Sequence, residues 1–470
     1  MRAPAHSPKG ICPNGRDELA IGCILRMHSQ IVTTLFAVEE RQRSSVIDEP
    51  QTNFSTTAEP ESSSRFRLST FSSLRHRNYR YLFASTLMAS GGNWIQQITL
   101  SWLAWDLSGS ALIVGAVTAC RGLPSLVASP LGGVLSDRVE RLRLILVIQL
   151  TLGLLAIGFA LIVGSGHLEI WHLFVFTFIS GAGWNMNNPV RQSLVPDTVP
   201  KEDVMNAVAL NSSAFQLFRI FGVVLGGQLI AFTGPSANFM IQGVAYVFMA
   251  LLILQIKIPK RDNRVSRQES IIKNFKGGVN YVKSEETTLA LILLGMIPAL
   301  FVMPFINALI PVFNDEVLGN GPKGLGNLMA MYAVGAMLGT FLLASLRNFH
   351  HKGQLLIGAA IASGFTLVVL SYTYWMPLSM IVLFLSGAAH MIYMATNNTL
   401  IQLTTPAEYR GRVLSLFFLD HALTPLGSIF AGYLAWQYGS PFAFVVGGTI
   451  AASLVVLMAM RFRVLRETTA

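Results

Sequence analysis

The chain has 470 residues, of which 52% are hydrophobic and only 12% charged, with a mean hydropathy of +0.52. A soluble domain carries about 25% charged residues, so a soluble enzyme of two or three domains is excluded and a polytopic membrane protein is indicated. The net charge of +10, from 34 Lys and Arg against 24 Asp and Glu, would suit nucleic acid in a soluble protein. Here it competes with the basic bias of cytoplasmic loops.

Residues 1–74 are polar, with Ser44-Ser45, Asp48-Glu49-Pro50 and Ser62-Ser63-Ser64, and read as a disordered cytoplasmic tail. The apolar stretch Ile31–Val38 is too short to span a membrane and lacks the organisation of a signal peptide. Twelve apolar segments follow, at about 79–106, 110–136, 142–164, 168–190, 204–232, 236–257, 288–313, 324–346, 353–372, 376–401, 411–436 and 441–462. Each is long enough to cross a hydrocarbon core of about 30 Å as a helix. Gly91-Gly92, Pro124, Pro130, Pro298, Pro304 and Pro425 lie inside them and mark kinks or close packing.

The 34 basic residues alternate between the two sides. Eleven lie in the tail up to Arg80 and twenty in every second connection and the C-terminus; only Lys323 falls on the other side, with Arg121 and Arg219 inside helices. This places both termini in the cytoplasm and explains the excess charge without nucleic acid. The longest internal connection, about 258–287, with eight basic residues from Lys257 to Lys283, divides a six-helix half at 75–257 from a second at 288–465. A repeat supports the division: Asn187, Asn188, Gln192 and Pro196 recur as Asn397, Asn398, Gln402 and Pro406, 210 residues on.

Gly133-Val-Leu-Ser-Asp137-Arg138-Val-Glu-Arg141-Leu-Arg143, between segments 2 and 3, resembles the GxxxDRxxRR signature of the major facilitator superfamily, with Leu142 where a second basic residue is common. Trp94, Leu107-Ser-Gly109-Ser110, Gly115 and Arg121-Gly-Leu-Pro124 resemble the enterobactin-exporter-like, or transmembrane secretion effector, branch. The resemblance covers residues 75–465. It implies an all-α membrane protein of twelve helices in two pseudo-symmetric halves, working by alternating access. It also implies a cytoplasmic gate at Gly133, Asp137, Arg138, Arg141 and Arg143, with the start of segment 11 as the partner of Asp137. An Asp beside a helix N-terminus is favoured by the macrodipole; the alternative for the arginines is ordinary anchoring. Arg219-Ile-Phe-Gly222-Val-Val-Leu-Gly226-Gly227 resembles the glycine-rich motif of proton-driven exporters, with Val223 in place of the usual Pro.

Charges within the apolar depth are expensive and demand partners. Arg121 and Asp420 both fall near the midplane, on segments that face each other in the implied fold, and are expected to pair. His421 can join Asp420 in binding a proton, or sit in a helix interface like His390. Arg219 and Asp106 pair only if local helix breaks shorten the gap between them; otherwise Asp106 is a solvated helix-end residue. In the implied fold, segments 1, 4, 7 and 10 line a central cavity, which makes Asn93, Trp94, Gln96, Gln97, Asn185 and Asn307 candidate lining groups; each amide has an interhelical hydrogen bond as its alternative. Asn187, Asn188, Gln192, Asn397, Asn398 and Gln402 lie near cytoplasmic helix ends and suit gating.

The expected function is export of a small amphiphilic organic molecule by proton antiport; a nutrient importer and a non-transporting sensor or secretion accessory are the alternatives. No Walker loop, HExxH site or GxSxG elbow occurs, so no enzyme and no ATP-driven step is expected. Cys12, Cys23 and Cys120 have neither paired nor metal-ligand spacing. No cofactor or metal is expected, the proton gradient being the energy source. The expected partners are the substrate and the bilayer, and the chain is expected to be a monomer.

Overall fold

A computed structural model describes residues 71–125, 128, 139–258, 271–345, 351–417 and 423–467, which form helices and no strand. The first half contains α1 (Arg77–Ser108), α2 (Ala111–Gly122), α3 (Arg141–Gly164), α4 (Ile170–Leu194), α5 (Val204–Thr233) and α6 (Pro235–Leu254). A connecting helix α7 (Ile271–Ser284) leads to α8 (Glu286–Phe301), α9 (Met303–Glu316), α10 (Gly321–Ser345), α11 (Lys352–Ser371) and α12 (Met376–Thr404). The chain ends with α13 (Ala407–Phe417), α14 (Thr424–Tyr438), α15 (Ser440–Arg461) and the short α16 (Arg463–Glu467).

Most expected segments appear as single helices, and the differences have local causes. Segment 7 is two helices meeting at Val302, because Pro298 and Pro304 each lack the N–H that would bond a carbonyl one turn back. The carbonyl of Leu294, freed by Pro298, accepts the Tyr393 hydroxyl instead at 3.3 Å. The connection 258–287 contains α7, whose Tyr281 stacks on Tyr409 of α13 with ring centroids 4.5 Å apart. The tail boundary also shifts: Ser72 and His76 each approach Asp203 at 2.7 Å, and Ser73 donates to Asn206 at 2.7 Å, tying the entry of α1 to the start of α5.

Eight helical runs among the described residues are long and apolar enough to cross a membrane. Segments 2 and 11 run into residues outside the described ones. α1 and α4, of 32 and 25 residues, are long enough but fall short on apolarity. Exposed apolar side chains such as Leu154, Phe232, Phe341 and Phe365 coat the outside of the bundle. Trp171, Tyr374, Trp375, Trp436 and Tyr438 are exposed at the end away from the basic connections, as in an aromatic membrane-interface belt. The protein is therefore a multi-pass membrane protein with a basic end and an aromatic end.

The halves repeat each other in their helix crossings, where small residues let backbones touch. Gly153 of α3 meets Gly243 of α6, and Gly364 of α11 meets Gly448 of α15. Between the halves, Gly115 of α2 meets Gly432 of α14, and Gly227 of α5 meets Gly326 of α10. The register is constant: Gly115 to Gly326 and Gly153 to Gly364 are both 211 residues, Gly227 to Gly432 and Gly243 to Gly448 both 205. Gly181 of α4 packs on the carbonyl of Arg121, and Gly387 of α12 on that of Tyr332, which sets 206 for this helix pair. The Asn repeat runs at 210 because α12, with 29 residues, is one turn longer than α4. Measured from the crossings, the counterpart of Asn397 is Arg191.

Candidate functional site

Toward the basic end, α1, α4 and α5 enclose a cavity of about 400 Å³. Thr86, Ala89 and Ser90 line it from α1, Trp184, Asn187, Asn188, Arg191 and Gln192 from α4, and Val208, Asn211, Ser212 and Phe215 from α5. Arg191 is only 5% exposed. Its Nη1 donates to the hydroxyls of Ser85 and Thr86, the latter at 3.3 Å. Its Nε and Nη2, and the Oδ1 atoms of Asn187 and Asn211, find no partner.

One turn further along α1 and α5 the cavity gives way to a slot of about 30 Å³ lined by Trp94, Gln97, Arg219, Asn307 and Tyr332, among others. The Arg219 guanidinium lies 5.1 Å from the Trp94 ring centroid and 5.6 Å from that of Tyr332 in the other half. A desolvated cation–π contact of this kind contributes about 2 kcal/mol. Tyr332 in turn neighbours the buried His390, with centroids 6.5 Å apart. Toward the aromatic end, the Gly115–Gly432 and Gly227–Gly326 crossings and a Trp105-to-Asp315 hydrogen bond of 2.9 Å hold the halves together.

Behind the cavity, the first half is wired by buried polar groups. Gln96 donates to Ser180 at 2.8 Å and accepts from Gln242, while Asn238 donates to Thr99 at 2.8 Å. Arg121 donates to Asn93.

The expected lining group divides accordingly. Trp94, Gln97 and Asn307 line the slot, whereas Asn93 and Gln96 are buried in the polar wiring. At about 100° per residue, positions 93 and 96 share one helix face and 94 and 97 another, so the four cannot all face one cavity. Asn185 bonds the Gly181 carbonyl of its own helix at 2.8 Å. Arg219 contacts the two rings rather than Asp106, which is exposed.

The gate motif is only partly visible. Arg141 pairs with Asp197 at 3.2 Å, and Arg143 with Glu140 at 2.8 Å. Gly133, Asp137, Arg138, Asp420 and His421 lie outside the described residues, and with them the expected Arg121–Asp420 pair. In the repeat, Asn187, Asn188 and Gln192 line the cavity. Asn397 instead donates to the Leu291 carbonyl at 3.2 Å, and Gln402 to Asn398 at 2.9 Å on an exposed face.

Arg191, which the charge alternation places in a cytoplasmic connection, is instead a helix residue of α4 and only 5% exposed. The signal that finds it is its spacing, four residues and one turn after Asn187 on the same helix face. Tyr332 carried no such signal. No cluster of three His, Cys, Asp or Glu side chains among the described residues could hold a metal.

Two helical halves that repeat each other's crossings and meet toward the aromatic end, the first of them enclosing a polar cavity toward the basic end, have the major facilitator fold. The family described as transmembrane secretion effector matches residues 68–470, and the chain belongs to it. It is similar to the staphyloferrin A transporter of Staphylococcus aureus, 26% identical over 391 residues that cover 80% of this chain and 94% of that one. It is also similar to macrolide efflux protein A of Streptococcus pyogenes, 24% identical over 78% of this chain and 91% of that one. Among solved structures, an inward-facing bacterial homologue of the human lysosomal transporter Spinster shares the fold, with a TM-score of 0.65 at 17% identity, covering 84% of this chain and 99% of that one.

Proposed function

We infer that this transporter exports small amphiphilic organic molecules from the cytoplasm by proton antiport. The observation that carries the reading is the cavity of about 400 Å³, within the size range of small-molecule sites, lined by amides, a buried Arg and aromatic rings. The basic end is cytoplasmic by the distribution of Lys and Arg. The cavity then takes substrate from the cytoplasm, and the Trp94–Arg219–Tyr332 stack bars the way onward. When the halves rock, that stack parts and the cavity opens to the other side. Similarity to a macrolide efflux protein supports the outward direction.

Arg121 and Asp420 are the proposed coupling groups, with His421 beside them. A carboxylate that takes a proton releases its Arg partner, and loss of the proton restores the pair.

The test is accumulation of a labelled compound panel in cells with and without the protein, with and without an uncoupler. Lower accumulation that the uncoupler abolishes is expected. Equilibration insensitive to uncoupler would indicate a facilitator, and no effect across the panel a non-transporting protein. For the coupling groups, the reciprocal swap Arg121→Asp with Asp420→Arg should restore the transport that each single change removes. Normal transport in both single variants rejects the pair.

A further inference from the structure

α5 and α10 belong to different halves and touch at one end only. Gly326 of α10 packs on Gly227 and on the Val223 carbonyl of α5, and all three residues are buried. At about 100° per residue, positions 11, 14 and 18 residues away return to within about 40° of the same helix face. Counted from Val223 toward the basic end of α5, these positions are Ser212, Ala209 and Met205; all are exposed, Met205 to 83%. Counted from Gly326 toward the basic end of α10, they are Met337, Thr340 and Ala344, of which the last two are exposed. Helices packed in contact would cover both rows. A slit therefore separates α5 from α10 on the basic side of the glycine crossing.

The slit joins the cavity to the membrane-facing surface. On its inner side, Val208 and Ser212 both line the cavity and are exposed, Val208 to 47%. On its outer side, Ser213 and Leu217 begin the exposed stripe that continues through Phe221 and Leu225 along the outside of the bundle. In angular order around the basic end of α5 the exposed residues run Val208, Ser212, Met205, Ala209, Ser213 and Leu217, an arc of about 180° from cavity to lipid. Among the described residues, none in the two rows that face the slit carries a charge. Charges come only at the start of α5, with Lys201, Glu202 and Asp203. Ser212 lies eight residues into α5, about 12 Å at 1.5 Å per residue, where the bilayer is hydrocarbon.

We propose that this slit is a side entrance from the cytoplasmic leaflet, through which an amphiphile dissolved in the bilayer slides its apolar tail between α5 and α10 and turns its polar head into the cavity. There Asn188, Gln192 and Ser212 of the lining meet the head. The proposal rests on the exporter reading and narrows its substrates to molecules that partition into lipid. The bilayer concentrates such a molecule, and a tail that moves between uncharged walls is not exposed to water on the way. The glycine crossing closes the slit toward the aromatic end, so the entrance serves one leaflet. Rocking that brings the basic ends of α5 and α10 together shuts it behind the substrate.

The test uses the full chain, with Cys12, Cys23 and Cys120 changed to Ser, in nanodiscs of phosphatidylethanolamine and phosphatidylglycerol. Nitroxides are attached one at a time through Ser212→Cys and Thr340→Cys in the slit, Phe221→Cys on the membrane-facing stripe and Lys201→Cys at the charged start of α5. Relaxation by oxygen, which concentrates in lipid, is compared with relaxation by a nickel chelate, which stays in water. The oxygen-to-nickel ratio at Ser212 and Thr340 should match that at Phe221 and exceed that at Lys201 several-fold. A ratio at either slit position as low as at Lys201 makes the gap a water-filled cleft and overturns the proposal. Entry is read from the Ser212 label with two probes that share a head, dansylglycine and dansylaminoundecanoic acid. The tailed probe should slow this label and leave the one at Phe221 unchanged, while dansylglycine slows neither. Equal slowing by both probes, slowing at Phe221 as great as at Ser212, or none at all overturns the entrance. The two slit labels sit on different helices, so a variant that fails to fold leaves the other wall to be read. The spectra are read without transport, so the two readings fail separately. A lipid-filled slit with no efflux in cells sinks the exporter and leaves the entrance. Uncoupler-sensitive efflux with a water-filled slit does the reverse.

Discussion

The two halves share their helix crossings but not what lies between them. Carried across at the register of the glycine crossings, Gln149 of α3 corresponds to Ala360, and Asn238, Gln242 and Tyr246 of α6 correspond to Ala443, Gly447 and Ala451. All of these are buried. Where Gln242 reaches Gln96 in the first half, Gly447 makes room for the Phe305 ring in the second. Arg121 corresponds to Tyr332, and Arg191 to Asn397. One half is held by hydrogen bonds around a cavity; the other is a packed apolar body. Internal symmetry therefore fixes the crossings and leaves each interior free to specialise. The polar half offers recognition, and the apolar half offers a rigid surface to rock against.

Moving polarity between the halves gives the largest expected effect. Ala360→Gln places an amide in the apolar body with no partner and too little room, and should lower unfolding stability in detergent by about 3 kcal/mol. A small effect would show that the second interior is as permissive as the first. Gly181→Val and Gly387→Val should each cost about 2 kcal/mol, alike in the two halves, because each would push a side chain onto a backbone carbonyl. Thermal unfolding of the pair tests whether the crossings really are equivalent. The reverse transfer should gain stability: Gln149 is fully buried with neither amide atom bonded, so Gln149→Leu should stabilise by about 1 kcal/mol. A loss instead would reveal a polar partner for this amide. The smallest change is Trp105→Phe, which deletes the exposed hydrogen bond to Asp315. At about 0.5 kcal/mol it should shift the balance of states roughly twofold toward opening at the aromatic end, as read by spin-label distances across that seam.

Much of the fold was legible because apolar runs and basic connections are dictated by the bilayer. The helix break at Val302 was written in Pro298 and Pro304, yet a proline pair also fits a single kinked helix. α7 falls in a stretch that hydropathy marks only as a connection, because its 14 residues cannot span a membrane. The site was less legible. Hydropathy closes segment 4 at residue 190, four short of the end of the helix at Leu194, which places Arg191 outside the helix. The Asn repeat was real as a pattern, but it follows the helix ends rather than the crossings. Only the contacts of Gly181 and Gly387 expose the extra turn. Tyr332 becomes important through Arg219, a neighbour from the other half that sequence spacing cannot supply.

The shortfall in apolarity of α1 and α4 bears on how the chain is made. Polar groups of α1 find their acceptors and donors on α6: Thr99 meets Asn238 and Gln96 meets Gln242, 139 and 146 residues later. At about 5 to 20 residues per second, α1 waits roughly 7 to 30 s for those partners to leave the ribosome. A helix this polar gains little from lipid alone, so through that interval it must be sheltered by the insertion machinery. The first half is then released into the bilayer as a group of helices, not one by one, and a ribosome stalled before α6 would leave α1 stranded at the gate of the translocon.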